Sequence, residues 1–168
     1  MIPDHPPERH DPDPPAPGAA PADADLDEHA GAGLVVADFV GTGALLVACV
    51  AGIATPDRAG TFTAAVSLAL FVVGVALFLW GYAVGVVRSR DEQISLGGLF
   101  FLSGTAPAVV RFRLRLALAA QVVLAVAAAS IRPYTAVAFA VLAPMLGLGV
   151  MASWGARHGT FPPREGAR

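Results

Sequence analysis

The feature that most constrains this chain is the stretch Phe62 to Val87, 26 consecutive residues without a charge. As an α-helix it reaches about 39 Å, longer than the roughly 30 Å hydrocarbon core of a bilayer. Three further runs resemble it. Leu34 to Thr55 holds 22 residues with Asp38 as their one charge. Phe112 to Ile131 holds 20, with Arg113 and Arg115 near its start, where long side chains snorkel toward headgroups. Tyr134 to Trp154 holds 21, and Pro144 near its middle predicts a kink. Thr55–Gly60, the charged group Arg88, Arg90, Asp91 and Glu92, and Arg132-Pro133 interrupt these runs and read as turns or stops. The expected fold class is therefore an all-α integral membrane protein with four transmembrane helices, at about 34–55, 62–87, 112–131 and 134–154.

Composition closes off the other classes. Hydrophobic residues make up 55% and charged residues 14%, where soluble proteins carry about 25% charged residues. Mean hydropathy is +0.63. The net charge is -2 and all 11 basic residues are arginine, so there is no basic face for nucleic acid. A single cysteine, Cys49, excludes a disulfide scaffold.

The first 33 residues are a different polymer. They hold 8 of the 14 prolines and 8 of the 13 acidic residues. With Ile2 and Leu26 as their only large aliphatics, they cannot bury enough apolar area to offset ordering. Residues 1–33 are expected to be a disordered acidic tail, with residues 155–168 a second, shorter tail. The leading segment is long and acidic, unlike the short basic start of a signal peptide.

The arginines sort by side. With four spans, Arg58 and Arg132 fall on one face, and the other nine fall on the second, with both termini and the 88–115 connection. The positive-inside rule puts that second face in the cytoplasm. Trp80, Tyr82 and Trp154 then lie near cytoplasmic ends and Tyr134 near an outer one, as an aromatic belt would. Ile94 to Val110 competes with this count, being 17 uncharged residues. A crossing there would leave basic clusters on both faces, and Gly97, Gly98, Gly104 and Pro107 break helices. The segment 94–110 is expected to be interfacial or re-entrant, with Leu99, Phe100, Phe101 and Leu102 dipping into lipid.

Few residues carry chemistry. Asp38 is the one acidic residue inside a span, either a proton relay or an ion-pair partner, or a carboxylate resting near the interface. Gln121 could hydrogen-bond between helices. Gly74, Gly81 and Gly85 share one face of the second span and suit close helix packing, against this chain, a second copy or another subunit. Arg111, Arg113 and Arg115 are candidate contacts for lipid headgroups or an acidic partner, or simply a topogenic stop. Leu46-Val47-Ala48-Cys49 has lipobox letters, but apolar residues follow the cysteine, so Cys49 reads as a buried small hydrophobe. The four histidines lie outside the spans, so no haem pair, metal or other cofactor is expected.

Gly104-Thr105-Ala106-Pro107, Arg111-Phe112-Arg113, Ile131-Arg132-Pro133-Tyr134 and Trp154–Gly159 stand out along Ser95–Pro163, under half the chain. With the lysine-free, alanine- and arginine-rich usage, this stretch resembles uncharacterised small multi-span membrane proteins of high-GC Gram-positive bacteria. That resemblance implies a bacterial plasma membrane and carries over no functional residue.

The function expected is non-enzymatic: an accessory or packing subunit of a membrane complex, with lipid and other membrane subunits or a second copy as partners. The alternative is a small transporter or proton-coupled protein using Asp38. Topology is directly testable. Reporters fused after Arg90 and after Arg168 should report cytoplasm, and one at Arg58 the outside. A reporter after Arg115 should agree with that after Arg90; opposite signals would make 94–110 a fifth crossing.

Overall fold

The computed structural model describes residues 31–163. The tail expected over 1–33 lies outside them except for its last three residues, as do residues 164–168. The elements run in order α1 (Ala32–Ala54), α2 (Pro56–Arg88), α3 (Leu96–Phe101), α4 (Ala108–Ile131), a 3-10 helix (Ala136–Leu142) and α5 (Met145–His158). Among the described residues, pairing outside helices is a single isolated bridge, Glu92 with Pro163. Four segments are long and apolar enough to cross a membrane: α1, α2, α4, and the 3-10 helix with α5 taken together. The chain is an all-α membrane protein of four spans.

Local chemistry explains the boundaries. Between α1 and α2 stands Thr55 alone. The turn expected over Thr55–Gly60 is therefore one residue. Pro56 opens α2 instead of breaking it, because its missing N–H falls where a helix has no partner to offer. Asp57 follows in the first turn, favoured by the helix dipole.

In the fourth span Pro144 marks a change of helix type. Before it the chain is 3-10, and Val137, Ala140 and Ala143 are buried at intervals of three, the period of that helix. Proline can neither donate to nor fit beside the preceding turn, so α5 starts afresh at Met145. The longer 3-10 rise lets this span, with 23 residues like α1, reach about 3 Å further than α1 does.

The bundle is polar or small inside and greasy outside. The buried residues of α2 are Gly60, Thr63, Ser67, Gly74, Gly81 and Gly85, while Phe62, Leu68, Val72, Val73, Leu79 and Val86 point outward. This is the packing expected in lipid, where close backbone approach replaces hydrophobic burial as the driving force. The glycine face has an owner within the chain. A Cβ on Gly74 would strike the Met145 carbonyl, and one on Gly81 would stand 2.6 Å from the Ala152 carbonyl carbon. Gly85 lies beneath Leu99 of α3, and Gly149 of α5 abuts the Gly74 carbonyl in return. The stripe is thus filled by α5 and α3.

α5 is the most enclosed element, buried continuously from Val150 to Ala156. Trp154, expected in an interfacial belt, is 2% exposed and packs with Leu102, Leu114, Val150 and Met151. Its helix is covered on all sides, so its ring lies in the core. Trp80, Tyr82 and Tyr134 are exposed as an aromatic belt requires. Cys49 sits in a second core with Leu45, Ala125, Ala128 and Val137.

The 94–110 stretch holds only the six-residue α3, about 9 Å long, far too short to cross. Of the four residues expected in lipid, Phe101 faces outward, Phe100 is half-buried and stacked on Phe78, and Leu99 and Leu102 turn into the protein core. Hydrogen bonds from Gln93 N to the Pro162 carbonyl (2.9 Å) and from Thr160 N to the Thr105 carbonyl (3.1 Å) tie this connection to the C-terminal segment.

Three arginines finish helix ends. Arg88 donates to the Ala156 carbonyl of α5 (2.7 Å) and the Gly159 carbonyl (3.1 Å), and pairs with Glu92 at 2.8 Å. Arg115 donates to the Phe101 carbonyl of α3 (2.6 Å), and Arg132 to the Ile53 carbonyl of α1 (3.2 Å). A guanidinium suits these sites, where carbonyls lack helical partners and the dipole is negative.

The internal stripe makes a stability prediction. Gly81→Ala should cost about 1–3 kcal/mol, because the new methyl meets backbone that cannot move aside. Gly43, with open space around its Cα, should accept alanine without loss. Thermal unfolding in detergent measures both, and the mass of the protein–detergent particle should be the same for the two variants.

Candidate functional site

Asp38, Thr42 and Gln121 gather at one level of the spans, beside the Pro144 break. α4 turns Gln121 inward on the same face as Leu114, Ala117, Ala125 and Ala128. α1 turns Asp38 inward between Val35 and Gly41, with Thr42 one turn further on. Gln121 is 1% exposed and Asp38 is 0% exposed. Along α4, Gln121 lies about 9 Å from Arg115 and about 16 Å from Arg132. The carboxyl is therefore packed within the bundle, where sequence position alone left open a site near the interface.

The hydrogen bonds converge on the Gln121 amide. Its Nε2 donates to Asp38 Oδ1 (2.8 Å) and to Thr42 Oγ1 (2.9 Å). Its Oε1 accepts from the backbone N–H of Gly147 (3.1 Å). That N–H can only donate, so the orientation of the amide is forced by its partners. Thr42 Oγ1 in turn donates to the Asp38 backbone carbonyl (2.8 Å), the usual way a hydroxyl is satisfied inside a helix. Gly147 belongs to the first turn of α5, where Leu146 and Leu148 donate to the Ala143 and Pro144 carbonyls and the Gly147 N–H goes to Gln121 instead. One side chain thus joins α1, α4 and α5.

The cluster has one open valence. Asp38 Oδ2 is buried and has no hydrogen-bond partner among the described residues. Among them no arginine or histidine bonds to this carboxyl. A polar atom in that position carries a desolvation cost that nothing among the described residues offsets. Chemically, the arrangement can hold a proton on the carboxyl or release it, with a dipolar amide and a helix N-terminus as its electrostatic surroundings. It offers no nucleophile with an adjacent base. Among the described residues there is also no group of His, Cys, Asp and Glu able to hold a metal.

Asp38 and Gln121 are thus brought into contact. Gly74, Gly81 and Gly85 face α5 and α3, and Gly74 packs on Met145 and Leu146, next to the Gly147 that Gln121 holds. Of the arginine trio, Arg115 is engaged at the end of α3, and Arg113 faces a groove beside α1. Thr42 and Gly147 were not anticipated. A hydroxyl four residues after an intramembrane acid was a usable signal for Thr42; the role of Gly147 depends on where the helix restarts after Pro144.

Compared with family models, curated proteins and solved structures, the chain matches none.

Removing the bridge should be felt by all three helices. Gln121→Leu keeps the volume but strands the Gly147 N–H and the Asp38 carboxyl, an expected cost of about 1–3 kcal/mol. Thr42→Val, which removes one bond, should cost about 0.6 kcal/mol, typical of a hydrogen bond between membrane helices. Thermal unfolding in a single detergent checks the order and the ratio.

Proposed function

We propose that this chain is a proton-coupled protein of a bacterial plasma membrane, with Asp38 as the group that takes up and releases the proton. The observation that carries this reading is the unpartnered Oδ2 of a wholly buried carboxyl inside a transmembrane bundle. A residue needed only to accept one hydrogen bond from Gln121 could be Ser, Thr or Asn. What a carboxyl adds is a second oxygen and an exchangeable proton, and intramembrane acids are costly enough that a role in ion or proton movement is the default reading.

The geometry supports a coupling route. An ionised Asp38 makes a charge-assisted hydrogen bond with Gln121, roughly twice as strong as a neutral one. Protonation weakens that bond and gives the carboxyl a donor of its own. The same Gln121 amide holds the Gly147 N–H, so a change at Asp38 reaches the start of α5 and the 3-10 segment before it. The proton state therefore biases how the fourth span packs against α1 and α4.

Topology belongs to the same reading. Both termini, the 89–107 connection and most arginines face the cytoplasm. The ties from Gln93 and Thr105 to the C-terminal segment support that grouping, since they hold the connection and the C-terminus at one end of the bundle. The accessory-subunit reading leaned on the glycine face of α2, and α5 and α3 occupy that face.

Reconstitution into liposomes tests the proposal. With a pH gradient imposed, proton flux into a dye-loaded lumen should fall at least about tenfold in Asp38→Asn, with thermal stability retained. Infrared difference spectra between acid and neutral pH should show a carboxyl C=O band that Asp38→Asn removes. Absence of both the flux and that band in the wild type would overturn the reading and leave the cluster a structural clamp.

A further inference from the structure

The seam between α1 and α4 carries a groove that the packing does not fill. It encloses about 410 Å³ and is lined by Val35, Val36, Phe39 and Val40 of α1 and by Arg113 of α4. Its floor is apolar and open to the outside of the bundle. Val36 is 61% exposed and Val40 66%, one turn apart on the same face, so the groove runs along α1 in the direction of the membrane normal. Its rim is cationic. Arg113 has no hydrogen bond or ion pair among the described residues, where Arg88, Arg115 and Arg132 each hold backbone carbonyls and Arg157 stacks over Trp80. Arg113 also lies in the second turn of α4, close to the positive end of that helix.

We propose that this groove is the seat of one anionic phospholipid, its phosphate on Arg113 and one acyl chain along Val36, Phe39 and Val40. Three observations agree on that occupant. The groove opens on the face that a four-span protein turns to lipid, its length runs with the acyl chains, and its single charge is a guanidinium at the end of the apolar trough. Arginine is suited to phosphate because its planar donors match the phosphate oxygens in pairs. The side chain reaches headgroup level by laying its methylenes along apolar surface, so the charge and the trough form one site. An acidic peptide would satisfy the arginine but leave the valine trough empty, and a neutral lipid would do the reverse.

The groove's exposed floor is distinct from the Asp38 carboxyl, since Val36 and Val40 project outward from α1 where Asp38 turns inward. Its test therefore reads lipid retention rather than proton movement. The full chain is placed in nanodiscs of phosphatidylglycerol and phosphatidylcholine at 3:7, then released and weighed by native mass spectrometry. The wild type should retain one phosphatidylglycerol, enriched at least fivefold over its share of the bilayer. Arg113→Gln should reduce that enrichment to about one, while Arg58→Gln, at an exposed position in the first turn of α2, should leave it unchanged. Val40→Trp, which fills the trough without touching charge, should also expel the lipid, and it keeps the test valid if Arg113→Gln fails to fold. Inorganic phosphate or an acidic peptide added in excess should displace nothing. Equal retention of the two lipids by the wild type, equal loss in Arg113→Gln and Arg58→Gln, or displacement by phosphate or the peptide would overturn the proposal.

Discussion

A backbone N–H released inside a bilayer must find a partner within the protein, and at Gly147 that partner is Gln121. The need arises from Pro144, which ends one helix type and obliges another to begin at membrane depth. Once Gln121 is committed to Gly147 by its oxygen, its nitrogen must find acceptors on the other side, and Asp38 and Thr42 of α1 supply them. The proline, the glutamine and the acid are therefore one device rather than three separate polar residues. The two apolar cores lie on either side of it, one around Trp154 and Met151, the other around Leu45 and Val137.

Around that device the bundle is held by shape. α2 contributes almost nothing but glycine and hydroxyl side chains to its inner face, and the backbone of α5 comes to rest on it. Thr63 ties α2 to α1 as well, donating to the Ala48 carbonyl at 2.7 Å. Where helices end, guanidinium groups take over the carbonyls that shape cannot satisfy. Apolar residues are left to face lipid, which reverses the usual distribution in a soluble bundle.

Much of this was legible in the residues themselves. Uncharged runs located the four spans, since length and charge alone decide what crosses a bilayer. The glycines of α2 announced a close contact, but not whose helix would fill it, because a stripe of small residues looks the same from within a chain or between chains. Pro144 announced a break; the 3-10 form before it appears only in the three-residue spacing of Val137, Ala140 and Ala143. The pairing of Asp38 with Gln121 spans 83 positions and depends on how two helices are rotated and offset. The same limit applies to Trp154 and Leu99, whose chemistry suits an interface as well as a core, and whose place was decided by tertiary packing.

The burial of α5 bears on the order in which the molecule can be made. The most enclosed element is also the last span to leave the ribosome. Until it arrives, Gly74 and Gly81 border an empty slot and the Gln121 side-chain Oε1 lacks its backbone donor. The first three spans then enter the bilayer as a cradle with its final member missing. During that interval lipid tails or neighbouring helices can occupy the slot, and the final span must displace them. Arg88 pairs late as well, because its carbonyl partners at Ala156 and Gly159 stand in the last turn of the fourth span and just beyond it. Assembly of the four spans therefore finishes with the element that the folded bundle encloses most tightly.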